Sequence, residues 1–196
     1  MIGIFLDIET TGLDPKKHYA IDVAFKVVDF ETDTLLDEYQ SLIKITPEEW
    51  ATHDAFSLSI NGYTWEEVIK GKDRKTIAKE IIEIFDKHNL TRGRAVFICQ
   101  NPAFDRSFLS QIVTIYEQEQ RQWPYHWLDL ASMHWALLVE KAHHNGTKFP
   151  KEMTLSKNEI AELFGIPPES HPHKGINGVN HLIECYQAVL GVSFSY

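Results

Sequence analysis

Residues 2–15, Ile-Gly-Ile-Phe-Leu-Asp-Ile-Glu-Thr-Thr-Gly-Leu-Asp-Pro, decide the fold of this chain. An apolar run that is rich in β-branched residues and is closed by glycine and proline predicts a buried strand followed by a turn. Because side chains alternate across a strand, Asp7 and Glu9 share one face at its end. Two buried carboxylates repel each other, so they need a cation, a proton or strong donors nearby. The pair predicts a site for Mg²⁺ or Mn²⁺, and the alternative is a solvated strand end.

The remaining elements follow in an order that is typical of an α/β protein. Strands are predicted at 19–30, 35–45, 94–99 and 127–129, and helices near 47, 64, 74–88, 103–118, 130–138, 154–164 and 175–190. An irregular link is predicted at 56–63. We expect a mixed five-stranded sheet flanked by helices, in which the first three strands are antiparallel and the later ones return through helical crossovers. Sites in such sheets lie at the carboxyl ends of strands.

Composition limits the function classes. Hydrophobic residues are 43% of the 196, enough for a core, and we expect one domain over residues 1–196. The net charge of −9 argues against a general binder of duplex DNA but is compatible with a nuclease whose acidic cluster holds metal ions. We see no membrane span and no leader, so we expect no membrane partner and a cytoplasmic location. Cys99 and Cys185 stand in apolar contexts, which predicts buried free thiols.

Two further segments carry candidate site residues. Asp105 lies in the first turn of the helix that follows the strand at 94–99, on the side of the helix that also carries Phe108. A helix dipole alone could explain an acid there, but its inward position favours a site role. His173 stands in a loop just before the strongly amphipathic helix at 175–190. A loop histidine is usually a surface residue, so His173 becomes a candidate only together with the acids.

These segments together resemble the three motifs of the DEDDh 3′–5′ exonucleases. That superfamily includes the proofreading subunit of bacterial DNA polymerase III, ribonuclease T and oligoribonuclease. The resemblance implies a ribonuclease H-like fold and hydrolysis of phosphodiester bonds at single-stranded DNA or RNA 3′ ends, with release of nucleoside 5′-monophosphates. It implies that Asp7, Glu9 and Asp105 bind two divalent cations, Mg²⁺ or Mn²⁺, and that His173 is the general base. Imidazole suits that role because its protonation changes near neutral pH.

The same resemblance suggests substrate-binding residues. Thr10, Thr11 and Leu13, on the turn after the acid pair, match the seat of the 3′-terminal nucleotide. Asn101 and Phe104 are candidate substrate contacts or supports of the ligands. Short oligonucleotides are possible substrates, and a homodimer or a polymerase-type partner is an open expectation. DNA and RNA are not distinguished, because the choice rests on contacts to the 2′-hydroxyl.

The third motif departs from the family pattern. The family has an acid five positions after the histidine, and this chain has Gly178 there. A shifted register offers Asn177 or Asn180, both neutral. Loss of the fourth carboxylate weakens the attraction for one cation and predicts reduced activity. The alternative is therefore a catalytically weak or inactive member that binds nucleic-acid ends or a protein partner.

Overall fold

The computed structural model describes residues 1–149 and 153–196, in which five strands form one sheet in the order β3-β2-β1-β4-β5. The first three are antiparallel, whereas β4 runs parallel to β1 and β5 runs parallel to β4. The predicted mixed sheet is confirmed. The strands are β1 (Ile2–Thr10), β2 (Ala20–Asp29), β3 (Thr34–Leu42), β4 (Ala95–Cys99) and β5 (Trp127–Asp129).

Helices connect and cover these strands. They are α1 (Pro47–Trp50), α2 (Ala55–Asn61), α3 (Trp65–Val68), α4 (Arg74–Lys87), α5 (Pro102–Ile112), α6 (Ile115–Gln120), α7 (Leu130–His144), α8 (Lys157–Leu163) and α9 (Gly175–Leu190). Among these described helices, none is both long and apolar enough to cross a lipid bilayer.

Two local predictions were wrong. The segment predicted as an irregular link is helix α2, which begins because the Asp54 side chain accepts hydrogen bonds from the backbone N–H groups of Phe56 and Ser57. An aspartate at this position satisfies amides that have no partner within the helix. The helix predicted over 103–118 is two helices, because the side chain of Thr114 caps a new helix after α5 has ended.

The alternation of β1 places its side chains in two separate apolar layers. Ile4, Leu6 and Ile8 belong to the layer under α4 and α5, whereas Phe5 belongs to the layer under α9. Strand β1 is central in the sheet, with β2 on one side and β4 on the other. Its end is therefore held rigidly, and Asp7 and Glu9 follow Phe5 on the α9 side. Among the described residues, Cys99 and Cys185 are buried and form no disulfide, as predicted.

Candidate active site

The acid pair projects from the end of β1 toward α9. The side chain of Asp7 is 21% exposed. Ile8, which lies between the two acids, points the other way and is buried in the layer under α4 and α5. Both acids pair through their backbones with β2, Asp7 opposite Ala24 and Glu9 opposite Asp22. Strand pairing thus fixes the directions of the two carboxylates before any ligand binds.

Asp105 reaches the same strand from the opposite layer. It lies in the first turn of α5, where only 4% of the residue is exposed, and its Oδ1 accepts a hydrogen bond from the backbone N–H of Ile8 at 3.1 Å. Helix α5 starts directly after β4, which is parallel to β1. The topology therefore carries Asp105 from a distant part of the chain to the end of β1.

His173 is held in place by backbone contacts on both sides. Its own N–H donates to the carbonyl oxygen of Ile60 in α2 at 3.0 Å. Two residues later, the N–H of Gly175 donates to Oδ2 of the buried Asp22 at 2.9 Å. The hydroxyl of Tyr63 donates to the same oxygen at 2.6 Å. These bonds fix the loop at the start of α9, and 28% of the His173 side chain stays exposed.

One cavity of about 280 Å³ brings these predicted residues together. Its walls come from the end of β1, the start of α5, α8 and the loop before α9. The lining residues are Asp7, Ile8, Glu9, Gln100, Phe104, Asp105, Ser156, Lys157, Asn158, Glu169 and His173. The three predicted carboxylates and the predicted imidazole, up to 166 positions apart in sequence, thus line one cavity.

Burial gives the three carboxyl groups unusual proton affinities. It raises the pKa of Asp7 above its ordinary value, against the lowering effect of the Lys157 ammonium. Burial, followed by repulsion from Asp7, raises the pKa of Glu9 from 4.5 to about 8. The same two causes raise the pKa of Asp105 well above its ordinary value. A site of this kind retains protons until a cation displaces them.

Two residues of this cavity were missed by the sequence reasoning. Lys157, at the start of α8, has 12% of its side chain exposed, and its Nζ lies 2.7 Å from Oε2 of Glu169 and 3.6 Å from Oδ1 of Asp7. Burial by itself lowers the pKa of Lys157, but the two carboxylates outweigh it and raise that pKa above 10.5. The only sequence signal for Glu169 is its position four residues before His173.

Gly178 lies directly against Asp7. A Cβ atom at position 178 would stand 2.3 Å from Oδ2 of Asp7, far inside contact distance. A side chain at 178 would therefore have to displace the Asp7 carboxylate or move α9 away from β1. Asn177 and Asn180 do not replace the missing acid, because both line a different cavity beside Pro167 and outside the one that contains Asp7.

A second cavity, of about 150 Å³, adjoins the first at Ile8, Glu9 and Phe104. Thr10 and Leu13 line it, and Leu13 is 71% exposed. The far wall is α2, including Phe56, Ser57, Ile60 and Asn61. This wall was missed because the segment was predicted to be irregular.

Two of the predicted substrate residues lie elsewhere. Thr11 is fully buried, and its hydroxyl accepts a hydrogen bond from the N–H of Tyr19, which fixes the turn after β1. Asn101 has an exposed side chain outside both cavities, and its backbone adopts φ 57° at the start of α5. Its N–H donates to Oδ1 of Asp129, which also caps α7. The side chain of Thr11 and the backbone N–H of Asn101 therefore each hold a loop in place.

The donor set of the first cavity fits a hard divalent cation. Carboxylate oxygens are the ligands that Mg²⁺ and Mn²⁺ prefer, and Asp7, Glu9 and Asp105 present them from rigid elements. One atom each of Glu9, Glu169 and His173 also lie within 4.8 Å of one another. Oε1 of Glu169 is buried and accepts no hydrogen bond from any described residue, so its charge lacks a donor. A mixed sheet with such a cluster at the end of its first strand is the architecture of the ribonuclease H-like class.

Comparison with known proteins agrees with this class. The RNase_T family model, described as "Exonuclease", matches residues 4–177, and the chain belongs to that family. No curated protein matches the sequence at a significant level.

Solved structures show the same fold. A structure of exonuclease I has 17% identity and a TM-score of 0.76, with 97% of this chain and 41% of that chain covered. Escherichia coli exonuclease I with a dT13 oligonucleotide has 18% identity and a TM-score of 0.73, with coverage of 96% and 40%. A 3′-exonuclease that recognises the histone mRNA stem-loop has 15% identity and a TM-score of 0.67, with coverage of 98% and 65%. This chain thus spans about 40% of the length of the exonuclease I structures.

Proposed function

We propose that this protein is a metal-dependent 3′–5′ exonuclease that acts on single-stranded DNA or RNA, including short oligonucleotides, and releases nucleoside 5′-monophosphates. The observation that carries the proposal is the convergence of Asp7, Glu9, Asp105 and His173 on one cavity. Membership of an exonuclease family supports hydrolysis, and the 3′–5′ direction comes from the resemblance of the motifs.

The carboxylates are the proposed metal ligands. The family resemblance implies two divalent cations, Mg²⁺ or Mn²⁺, held by Asp7, Glu9 and Asp105. When bound, such ions supply Lewis-acid stabilisation of the charge that develops on the phosphate and on the leaving 3′ oxygen. The pairing of β1 orients Asp7 and Glu9, and the N–H of Ile8 orients Asp105. The carboxylates therefore need little reorganisation to bind the ions.

His173 is the proposed general base. The imidazole lines the same cavity as the acids, and backbone hydrogen bonds on both sides hold its loop. An imidazole in that position accepts the proton of the attacking water, and the hydroxide then adds to phosphorus while the bond to the 3′ oxygen breaks. The neighbouring Oε1 of Glu169 lies 3.6 Å from Nδ1 and stabilises the imidazolium that results.

The second cavity is the proposed seat of the terminal nucleotide. It opens next to Glu9 and is bounded by Thr10, Leu13, Phe56 and Phe104, which together offer an apolar surface for a base and its sugar. The side chain of Phe56 is 73% exposed and stands free to stack on a base. Because this cavity adjoins the acidic one at Glu9, a strand end seated here would have its last phosphate near the carboxylates, as exonucleolytic action requires.

A second candidate function is binding without efficient hydrolysis. Gly178 in place of the fourth acid and the Lys157 ammonium beside Asp7 both reduce the attraction for cations. A weak or inactive member would still bind nucleic-acid ends in the seat or associate with a protein partner. A homodimer, a polymerase-type partner and a cytoplasmic location remain predictions from the sequence.

The deciding experiment follows a 5′-labelled single-stranded oligomer with Mn²⁺. A ladder that shortens from the 3′ end, with mononucleotides as the product, supports the exonuclease. Glu9→Gln should abolish the ladder while the protein stays folded, and the matched change Glu162→Gln, at an exposed position of α8, should leave it intact. Tight binding of the oligomer by the wild-type chain without any shortening would favour the binding function. Equal hydrolysis by Glu9→Gln would reject this site.

A further inference from the structure

The ammonium group of Lys157 occupies a position that is built like a cation site. Three oxygen atoms surround Nζ: Oε2 of Glu169 at 2.7 Å, the carbonyl oxygen of Gly178 at 3.2 Å and Oδ1 of Asp7 at 3.6 Å. Only 12% of the Lys157 side chain is exposed. A buried ammonium is found where carboxylates compensate its charge, and here one of the two carboxylates is a proposed metal ligand.

Glu169 brings a fourth carboxylate to the cluster from a new direction. Its side chain is 3% exposed, and its backbone N–H donates to Oδ1 of Asn158 at 2.9 Å, which ties the loop before α9 to α8. Oε1 accepts no hydrogen bond from the described residues and lies 3.6 Å from Nδ1 of His173, and a carboxylate oxygen of Glu169 lies within 4.8 Å of ligand atoms of Glu9 and His173. A buried carboxylate oxygen that lacks a hydrogen-bond donor and has another acid close by is stabilised by a cation.

Lys157 and Glu169 form an ion pair beside Gly178. The space beside residue 178, where the family pattern has an acid, is filled by the Asp7 carboxylate itself. A fourth carboxylate does line the cavity, but it belongs to Glu169 in the loop before α9. The carbonyl oxygen of Gly178 accepts a hydrogen bond from Lys157, so the glycine, the lysine and the glutamate form one connected arrangement.

We propose that the Lys157 ammonium takes one of the two cation positions of the site, and that Glu169 supplies the fourth carboxylate. The wild-type chain then binds one divalent cation with useful affinity. Repulsion by the Lys157 ammonium, which lies beside Asp7, lowers the affinity of the site for a second divalent cation. This inference rests on the proposed metal-dependent function and specifies how this chain differs from the two-cation pattern.

The test counts bound Mn²⁺ in the full chain, by the loss of the electron paramagnetic resonance signal of free Mn²⁺. We expect one ion for the wild type. Lys157→Met should bind a second ion, with the dissociation constant of that ion reduced at least about tenfold. Lys157→Arg keeps the charge and should stay at one ion. Lys141→Met, at an exposed position of α7, is the matched control and should match the wild type.

The role of Glu169 is tested in the background that binds two ions. Lys157→Met combined with Glu169→Gln should return the stoichiometry to one, whereas Lys157→Met with Glu162→Gln should keep two. Circular dichroism and the unfolding temperature check each variant for folding. Should Lys157→Met fail to fold, Lys157→Gln removes the same charge with a polar side chain and replaces it in every comparison.

The outcomes separate this inference from the proposed function. Two ions of similar affinity in the wild type, unchanged in Lys157→Met, overturn the inference and leave the exonuclease in place if the oligomer is shortened. A second ion in Lys157→Met without hydrolysis by either protein supports the inference and rejects the exonuclease. Absence of Mn²⁺ binding from the wild type and from Lys157→Met rejects both.

Discussion

Replacement of Gly178 by alanine tests the closest contact of the site. The change adds one methyl group in the first turn of α9, at a distance of 2.3 Å from Oδ2 and 2.6 Å from Cγ of Asp7. In an unconstrained helix interior, Gly→Ala stabilises by about 1 kcal/mol. At position 178 the methyl group must instead displace the Asp7 carboxylate or push α9 away from β1.

The magnitude follows from these two opposing effects. Insertion of a methyl group into a packed interior costs about 1–3 kcal/mol, so the net destabilisation is about 0–2 kcal/mol. For a chain of this size, 1 kcal/mol corresponds to about 2–4 °C in the unfolding temperature, and we expect Gly178→Ala to unfold up to about 8 °C lower. Because Asp7 is turned away, the dissociation constant for Mn²⁺ should rise at least about tenfold.

Thermal unfolding with EDTA and with Mn²⁺ measures both effects. Asn177→Ala is the matched control, because it lies in the same turn of α9 but lines another cavity. That variant should unfold at the wild-type temperature or slightly above it and keep the stabilisation by Mn²⁺. A higher unfolding temperature for Gly178→Ala, together with unchanged Mn²⁺ binding, would show that Asp7 does not rest against Gly178.

Three further changes test the electrostatics, the base and the nucleotide seat. In the metal-free protein the free energy of unfolding should fall as the pH rises from about 4.5 to about 8. The reason is that folded Glu9, whose pKa is about 8, keeps a proton that the unfolded chain has released. Urea unfolding at several pH values should show a smaller decrease of this free energy with pH for Glu9→Gln than for the wild type. His173→Gln should slow hydrolysis of the oligomer by about 10²–10⁴ and leave the Mn²⁺ dissociation constant within about twofold, as measured by kinetics and paramagnetic resonance on the same sample. Asn61→Ala removes a buried hydrogen bond of 2.9 Å to the carbonyl oxygen of Thr10 and should lower the free energy of unfolding by about 1–3 kcal/mol and weaken oligomer binding, with unchanged binding arguing against a seat under α2.

The sequence by itself determined the strand arrangement of the sheet and the positions of three acids of the site, Asp7, Glu9 and Asp105. Alternation along residues 2–10 placed Asp7 and Glu9 on one face, and that periodicity is a local property that survives in the fold. The position of Asp105 after a buried strand also followed from local order, because parallel strands bring their carboxyl ends to one edge. The helices predicted near 47 and 64 were likewise readable, since the side chains of Thr46 and Thr64 cap them and a cap depends on residues within one turn.

Only the tertiary structure decided how the cluster is completed. Lys157 and Glu169 are separated from Asp7 by 150 residues or more, and no local pattern marks a lysine or a glutamate as a partner of a distant strand. Their positions depend on how α8 and the loop before α9 pack over the end of β1. The close approach of α9 to Asp7 is also a packing result, because a glycine in a sequence does not reveal which atom fills the space that it leaves.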